Sequence, residues 1–219
     1  MYTFLTVNII DTVENKVLSR IRRLGPGKVH TSKDFLSLGS RAAVDQVLSR
    51  LAARKTIKRL GRGLYYLPRI NPTLGIEAAP DVEEVARTLA RKTGSRVIPS
   101  GAVAANRLGL STQVPAKPVY LTDGRTRTVR VGNVVLFIKH APPKDLPLGH
   151  PTSAMVFQGL RHLGKDAMGE ETIARLRRSL SVADRRRLLK DARYVTDWVA
   201  EVVRRVCGHG GRPQKARHG

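Results

Sequence analysis

The sequence predicts an α+β fold in two domains, an N-terminal winged helix-turn-helix followed by a mixed α/β domain that ends in helices. Three observations carry this expectation. The segment from Thr31 to Pro68, TSKDFLSLGSRAAVDQVLSRLAARKTIKRLGRGLYYLP, reads as helix, tight turn, helix and then a hairpin with an arginine at its tip. Farther on, short apolar runs bounded by glycine, asparagine and aspartate give way after Thr152 to helical periodicity. Finally, 219 residues with 41% hydrophobic content are enough for two cores without disulfides or metals.

The first helix is expected over residues 11–24, where Val13, Val17, Leu18, Ile21 and Leu24 share one face. Gly25-Pro26-Gly27 breaks it, and residues 28–30 suit a small strand pairing with the wing. Ser32 is placed as N-cap of a short helix carrying Phe35, Leu36 and Leu38, and Gly39 ends it where positive φ is wanted. Ser40 then caps a second helix. Its buried stripe is Val44, Val47, Leu48 and Leu51, while Gln46, Ser49 and Arg50 face outward with Asp45 as the lone carboxylate. Strands follow over 57–60 and 64–67, with Gly61 and Gly63 allowing a tight reversal that holds Arg62 in solvent.

A helix of this kind fits the major groove, where glutamine reads adenine and arginine reads guanine. Gln46, Ser49 and Arg50 are therefore the base-contact candidates, with Ser40 and Arg41 at the helix start beside them. Lys58, Arg59 and Arg62 are assigned to the backbone or an adjacent groove, because a cation on a narrow tip is drawn to the negative potential there. A helix-turn-helix of this length also serves as a protein interaction module, so charge has to discriminate. Forty Lys and Arg against 17 Asp and Glu give a formal net charge of +23. Residues 1–70 carry 14 basic and 4 acidic side chains, the largest excess of any third of the chain. Such an excess favours a polyanionic partner.

Residues 1–70 are thus the expected DNA-binding domain, 71–80 a proline- and glycine-containing linker, 81–206 the second domain and 207–219 a disordered basic tail. Asp81 caps a helix to about Thr93, a strand follows at 96–98, and Ser100 starts the helix SGAVAANRLGL. Strands are expected at 118–121, 126–131 and 134–139, joined in succession by turns at Asp123-Gly124 and Gly132-Asn133. Helices close the chain around Met155 to Leu163, Ile173 to Leu180 and, with one or more breaks, Ser181 to Val206. The brief apolar stretch near the N-terminus lacks a preceding basic region, and no stretch approaches a membrane span. One cysteine, Cys207, fits a reducing cytoplasm, and no membrane partner is expected.

Catalytic chemistry finds little support. The chain has no GxSxG, HExxH, GxxxxGK[ST] or nucleotidyltransferase GS with a DxD pair, so an enzyme is not expected, nor a cofactor or metal. Asp123 after a strand is first a turn residue. His30, His140, His150 and His162 lack metal-ligand spacing and read as structural or surface groups.

DFLSLGSRAAVDQVLSRLAARKTIKRLGRGLYYLP, followed by SGAVAANRLGLSTQVPAKPVYLTDG, resembles the AbiEi-like antitoxins of type IV toxin-antitoxin systems, over roughly residues 12–145. Tyr65, Tyr66 and Pro68 after the wing, and Asn106, Leu108, Gly109, Leu110 with the YLTDG turn, carry the likeness. The resemblance implies repression of the protein's own operon by binding double-stranded promoter DNA through the first domain. It also implies neutralisation of a nucleotidyltransferase-type toxin by the second, directly or through a shared target. Two surfaces suit that role: the segment from Asn106 through Leu108 to Leu110, and the arginine-rich helical end with Arg177 and Arg178. The run Arg175, Arg177, Arg178, Arg185, Arg186, Arg187 reads as a solvated or partner-docking face ahead of a nucleic-acid surface, since Asp184, Asp191 and Glu201 are interspersed and offer local pairing. Arg204, Arg205, Arg212, Lys215 and Arg217 suit weak, salt-sensitive phosphate contact. The alternatives are a nucleic-acid-binding protein with a nuclease-like second half and a stand-alone transcriptional regulator.

Overall fold

Thr12 starts helix α1 (Val13–Leu24) by accepting the Asn15 backbone N–H on its hydroxyl at 3.2 Å, which satisfies one of the donors a helix start leaves open. The structure is a computed structural model that describes residues 12–73, 75–146 and 149–208. Residues 1–11 and 209–219, with the brief apolar stretch near the N-terminus, the helix start at Asp11 and the tail cations Arg212, Lys215 and Arg217, lie outside the described residues. The chain is α+β, with helices at its C-terminal end. Among the described residues no helix is long and apolar enough to cross a membrane.

The chain divides into two units, residues 1–94 with 129–135, and residues 95–128 with 136–219. In the first, α1 leads to β1 (Val29–His30), a four-residue 3-10 turn (Ser32–Phe35), α2 (Arg41–Ala53), β2 (Lys58–Gly61) and β3 (Leu64–Tyr66). The strands form one antiparallel sheet in the order β1-β3-β2, with Val29 opposite Tyr66 and Arg59 opposite Tyr65. Val17 and Ile21 of α1, Phe35, Val44, Val47, Leu48 and Leu51 of α2, Ile57 and Tyr65 make one core. Every one of these but Ile57 and Phe35 comes from a helix face or from β3, so the sheet's inner surface and two helical stripes close on each other.

Three local expectations change. Thr31 caps the 3-10 turn instead of Ser32: the Thr31 backbone N–H donates to Asp34 Oδ2 at 2.7 Å, while the Ser32 hydroxyl is turned away to Asp45. Gly39 does not have a left-handed φ; it is small because a Cβ there would meet Val13 Cγ1 at 3.0 Å. In the hairpin the reversal needs only Gly63, at φ 66°, since Gly61 remains inside β2.

The segment expected to be a linker turns back on the chain just before it, its β5 (Glu77–Ala78) pairing antiparallel with β4 (Arg69–Ile70). Helix α3 (Val82–Thr93), capped by Asp81 as expected, belongs to the first unit and not to the second. The reason is the open edge of β1. Its Val29 N–H donates to Glu84 Oε1 at 3.4 Å and its Val29 carbonyl accepts from Thr88 Oγ1 at 3.4 Å, so α3 supplies partners that an edge strand otherwise takes from water. The boundary thus falls after Gly94, which ends α3.

The second unit contains β6 (Val97–Pro99), α4 (Gly101–Arg107), β7 (Val119–Thr122), the start of β8 (Arg127–Val131) and most of β9 (Val134–His140), then α5 (Pro151–Leu163), α6 (Glu170–Ser179), α7 (Val182–Asp191) and α8 (Asp197–Cys207). Sheet order is β6-β7-β9-β8, with β7 and β9 parallel. The successive-hairpin expectation fails at Asp123-Gly124. Asp123 Oδ1 accepts the Arg96 backbone N–H at 2.8 Å, tying this loop beside β6, and β9 takes the place next to β7. The helical core includes Val156, Phe157, Leu160, Ile173, Leu176, Leu188, Val199 and Val203.

Candidate nucleic-acid interface

Three turns of one α2 stripe, Arg41, Asp45 and Ser49, form a wall of an open cleft of about 520 Å³. The hairpin supplies Arg59, Arg62, Gly63 and Tyr65, the 3-10 turn supplies Thr31, Ser32 and Lys33, and α3 supplies Lys92. Lys33, Arg41, Arg59, Arg62 and Lys92 thus face a single carboxylate, Asp45. Cations converging on a cleft with protein walls focus positive potential and raise the local concentration of a polyanion.

The surroundings hold these groups in place. Arg59 lies over the Tyr65 ring with its guanidinium carbon 5.9 Å from the centroid, an arrangement that restricts a long side chain without discharging it. Lys92 Nζ donates to the Arg62 carbonyl, and Lys33 Nζ donates to the Lys92 carbonyl at 2.9 Å, tying the hairpin tip and the 3-10 turn to the end of α3. Asp45 accepts from the Ser32 hydroxyl and from Arg41 Nε; these two partners, the hydroxyl first, hold its carboxyl below the usual carboxylate range against a smaller opposing effect of burial.

Of the residues singled out from sequence, Arg41, Ser49, Arg59 and Arg62 meet in this cleft. Ser40 serves instead as N-cap of α2, its Oγ accepting the Ala43 N–H at 3.3 Å. Gln46 and Arg50 are exposed one step around α2 and make no side-chain hydrogen bond or ion pair among the described residues. Lys58 is not brought to the cleft. Neighbouring residues on a strand point to opposite faces, so with Arg59 facing inward Lys58 turns away, where it pairs with Glu77 of β5. Sequence reasoning missed Lys33, Lys92 and the Ser32–Asp45 contact. Lys33 was legible as a cation just before the second helix, whereas Lys92 lies thirty residues after Arg62 and nothing local marks it.

The surface expected around Asn106 is corrected. Leu108 is 3% exposed and belongs to the helical core, and Leu110 packs against that core. Asn106 donates from Nδ2 to the Ser111 carbonyl at 3.3 Å, closing the turn after α4. A leucine pair following a seven-residue helix is thus used to anchor that helix, and burial leaves Leu108 nothing to offer a partner. Arg177 is also engaged: its Nε donates to the Val206 carbonyl at 2.9 Å and its guanidinium reaches Arg205, capping the end of α8. Arg178 is exposed.

His30, in β1 of the first unit's sheet, is 3% exposed and 5.6 Å from the Phe35 ring, with Nε2 lacking a hydrogen-bond partner. Burial is the main cause that pulls its pKa below the ordinary 6.5, against weaker attraction from Asp34 and Glu84. An unfolded chain therefore binds a proton at His30 more readily than the folded one. Its contribution to stability is fully present above about pH 6.5 and is lost as pH falls toward the folded-state value. Thermal melting between pH 7.5 and 5 should show this loss, and His30→Leu should reduce it. An unchanged pH dependence in the variant would remove His30 as its source.

The fold and the cleft define a class: an α+β protein whose first unit sets a helix and a strand hairpin around a cation-lined cleft. The chain belongs to DUF6088, a family of unknown function, whose model matches residues 16–188. No curated protein matches the chain.

Proposed function

We propose that this protein is a cytoplasmic DNA-binding regulator that represses its own operon, with α2 as the recognition helix and the β2–β3 hairpin as the wing of a winged helix-turn-helix. The observation that carries this reading is the cleft in which five cations face one carboxylate between α2, the hairpin tip and α3. Gln46 and Arg50, exposed and without side-chain partners among the described residues, are the direct base readers; Arg59 and Arg62 bind phosphate or an adjacent groove. Footprinting of the protein's own upstream DNA should reveal an inverted or direct repeat. Gln46→Ala or Arg50→Ala should cost about 1–3 kcal/mol of binding and relax preference at single positions. Equal binding of wild type and variants to operator and scrambled duplex would refute specific readout.

The second unit, in this proposal, counteracts a nucleotidyltransferase-type toxin encoded nearby, directly or through a shared target. Support comes from the resemblance of residues 12–145 to AbiEi-like antitoxins and from a unit with its own core beyond what DNA binding needs. With Leu108 buried, the exposed arginines around Arg178 and Arg186 become the surface to examine. Full-length protein carrying Arg59→Glu and Arg62→Glu should still restore growth when co-expressed with the adjacent gene product. Rescue that vanishes in this variant would mean that protection runs through repression alone.

A further inference from the structure

Asp45 is the one carboxylate lining a cleft that holds five cations, and a negative charge there repels phosphate. Its partners explain why it is present. The Ser32 hydroxyl donates to Asp45 Oδ1, and Arg41 Nε donates to Oδ2 at 2.9 Å. Ser32 is 4% exposed, so the carboxylate is gripped from the protein side by a group with little freedom. Arg41, by contrast, keeps a side chain 59% exposed.

Arg41 spends only its Nε on Asp45; its two terminal nitrogens make no bond among the described residues and form an outward fork. It is also the first residue of α2, and the N-terminal residues of a recognition helix are those that reach base edges. A guanidinium held through Nε loses less freedom when its fork meets the O6 and N7 of guanine. An exposed i, i+4 ion pair adds little to helix stability, so stability gives small reason for an acid at this position.

We propose that Ser32, Asp45 and Arg41 form a positioning relay that aims Arg41 at a guanine in the major groove, with Asp45 also penalising DNA seated on phosphate contacts alone. This rests on the reading of α2 as the recognition helix. Asp45 and Ser32 are positioning residues; Arg41 is the contact.

The test is selection from a randomised duplex library by full-length wild type, Arg41→Ala, Asp45→Asn and Asp45→Glu. Wild type should enrich a motif containing one G·C position that all three variants erase, with discrimination there falling about tenfold. Asp45→Asn should bind random duplex more tightly than wild type, because a repelling charge is gone. Asp45→Glu keeps the charge but displaces it, so it should lose the position without that gain. A motif unchanged in Asp45→Asn would overturn the relay while leaving DNA recognition intact. Weakening of Asp45→Asn toward every sequence alike would also overturn it, since that is what loss of helix structure does. Wild type enriching no motif would overturn the DNA-binding reading itself, and the relay with it.

Discussion

Phe35→Ala is expected to destabilise the first unit by about 3–5 kcal/mol, the range for emptying a buried aromatic site. Phe35 is fully buried among residues of α1, α2 and β3, and it ends the 3-10 turn that carries Ser32 and Lys33 into the cleft. Because domains of this size are stable by about 5–15 kcal/mol, a loss of this size leaves the unit marginal. Urea denaturation followed by circular dichroism should show the shift, with DNA binding lost in parallel on warming. A change below about 1 kcal/mol would mean that the site collapses around the missing ring, or that the turn takes its position from Asp34 and the cap alone.

Reversing charge at the hairpin, Arg59→Glu with Arg62→Glu, should reduce DNA affinity at least about a hundredfold at low salt, since two attractive groups become repulsive. Both residues are exposed, so folding should be nearly unaffected. The dependence of log affinity on log salt should become shallower by about two, one for each phosphate contact removed. Arg62→Ala alone should weaken binding evenly across sequences. A double variant that binds like wild type would exclude the hairpin from the interface and leave α2 as the sole contact.

The parts of the fold legible in the sequence are those fixed by short-range pattern. The α2 stripe Val44, Val47, Leu48 and Leu51, the Asp81 cap and the glycine-tipped hairpin all rest on periodicity or on single-residue geometry, and each lies where it was expected. What escaped depends on distant partners. Nothing near Thr88 or Glu84 indicates that they satisfy Val29, so α3 reads from sequence as part of the second domain. The β7–β9 pairing skips a strand, and turn residues such as Asp123-Gly124 cannot say which strand the chain will lie beside. Leu108 and Leu110 follow a short helix whose periodicity is too brief to distinguish core from surface.

The site divides along the same line. Arg62 is readable because a hairpin tip projects whatever charge it bears, Arg59 because it lies on the strand leading to that tip, and Arg41 because it opens α2 off the buried stripe. The pairing of Lys58 with Glu77, away from the cleft, is not legible because Glu77 lies in a strand pair that the composition of residues 71–80 conceals. Asp45 was visible only as an exception on a polar face, and its contact with Ser32 requires the 3-10 turn to be folded against α2.

The most direct test of DNA recognition by the first unit is a salt titration of full-length protein on its own upstream duplex and on a scrambled duplex of equal length and composition. Affinity for both should fall steeply as salt rises, with the upstream duplex bound more tightly throughout and its advantage reduced by Gln46→Ala or Arg50→Ala. Affinity insensitive to salt, or equal for the two duplexes at every salt concentration, would contradict it.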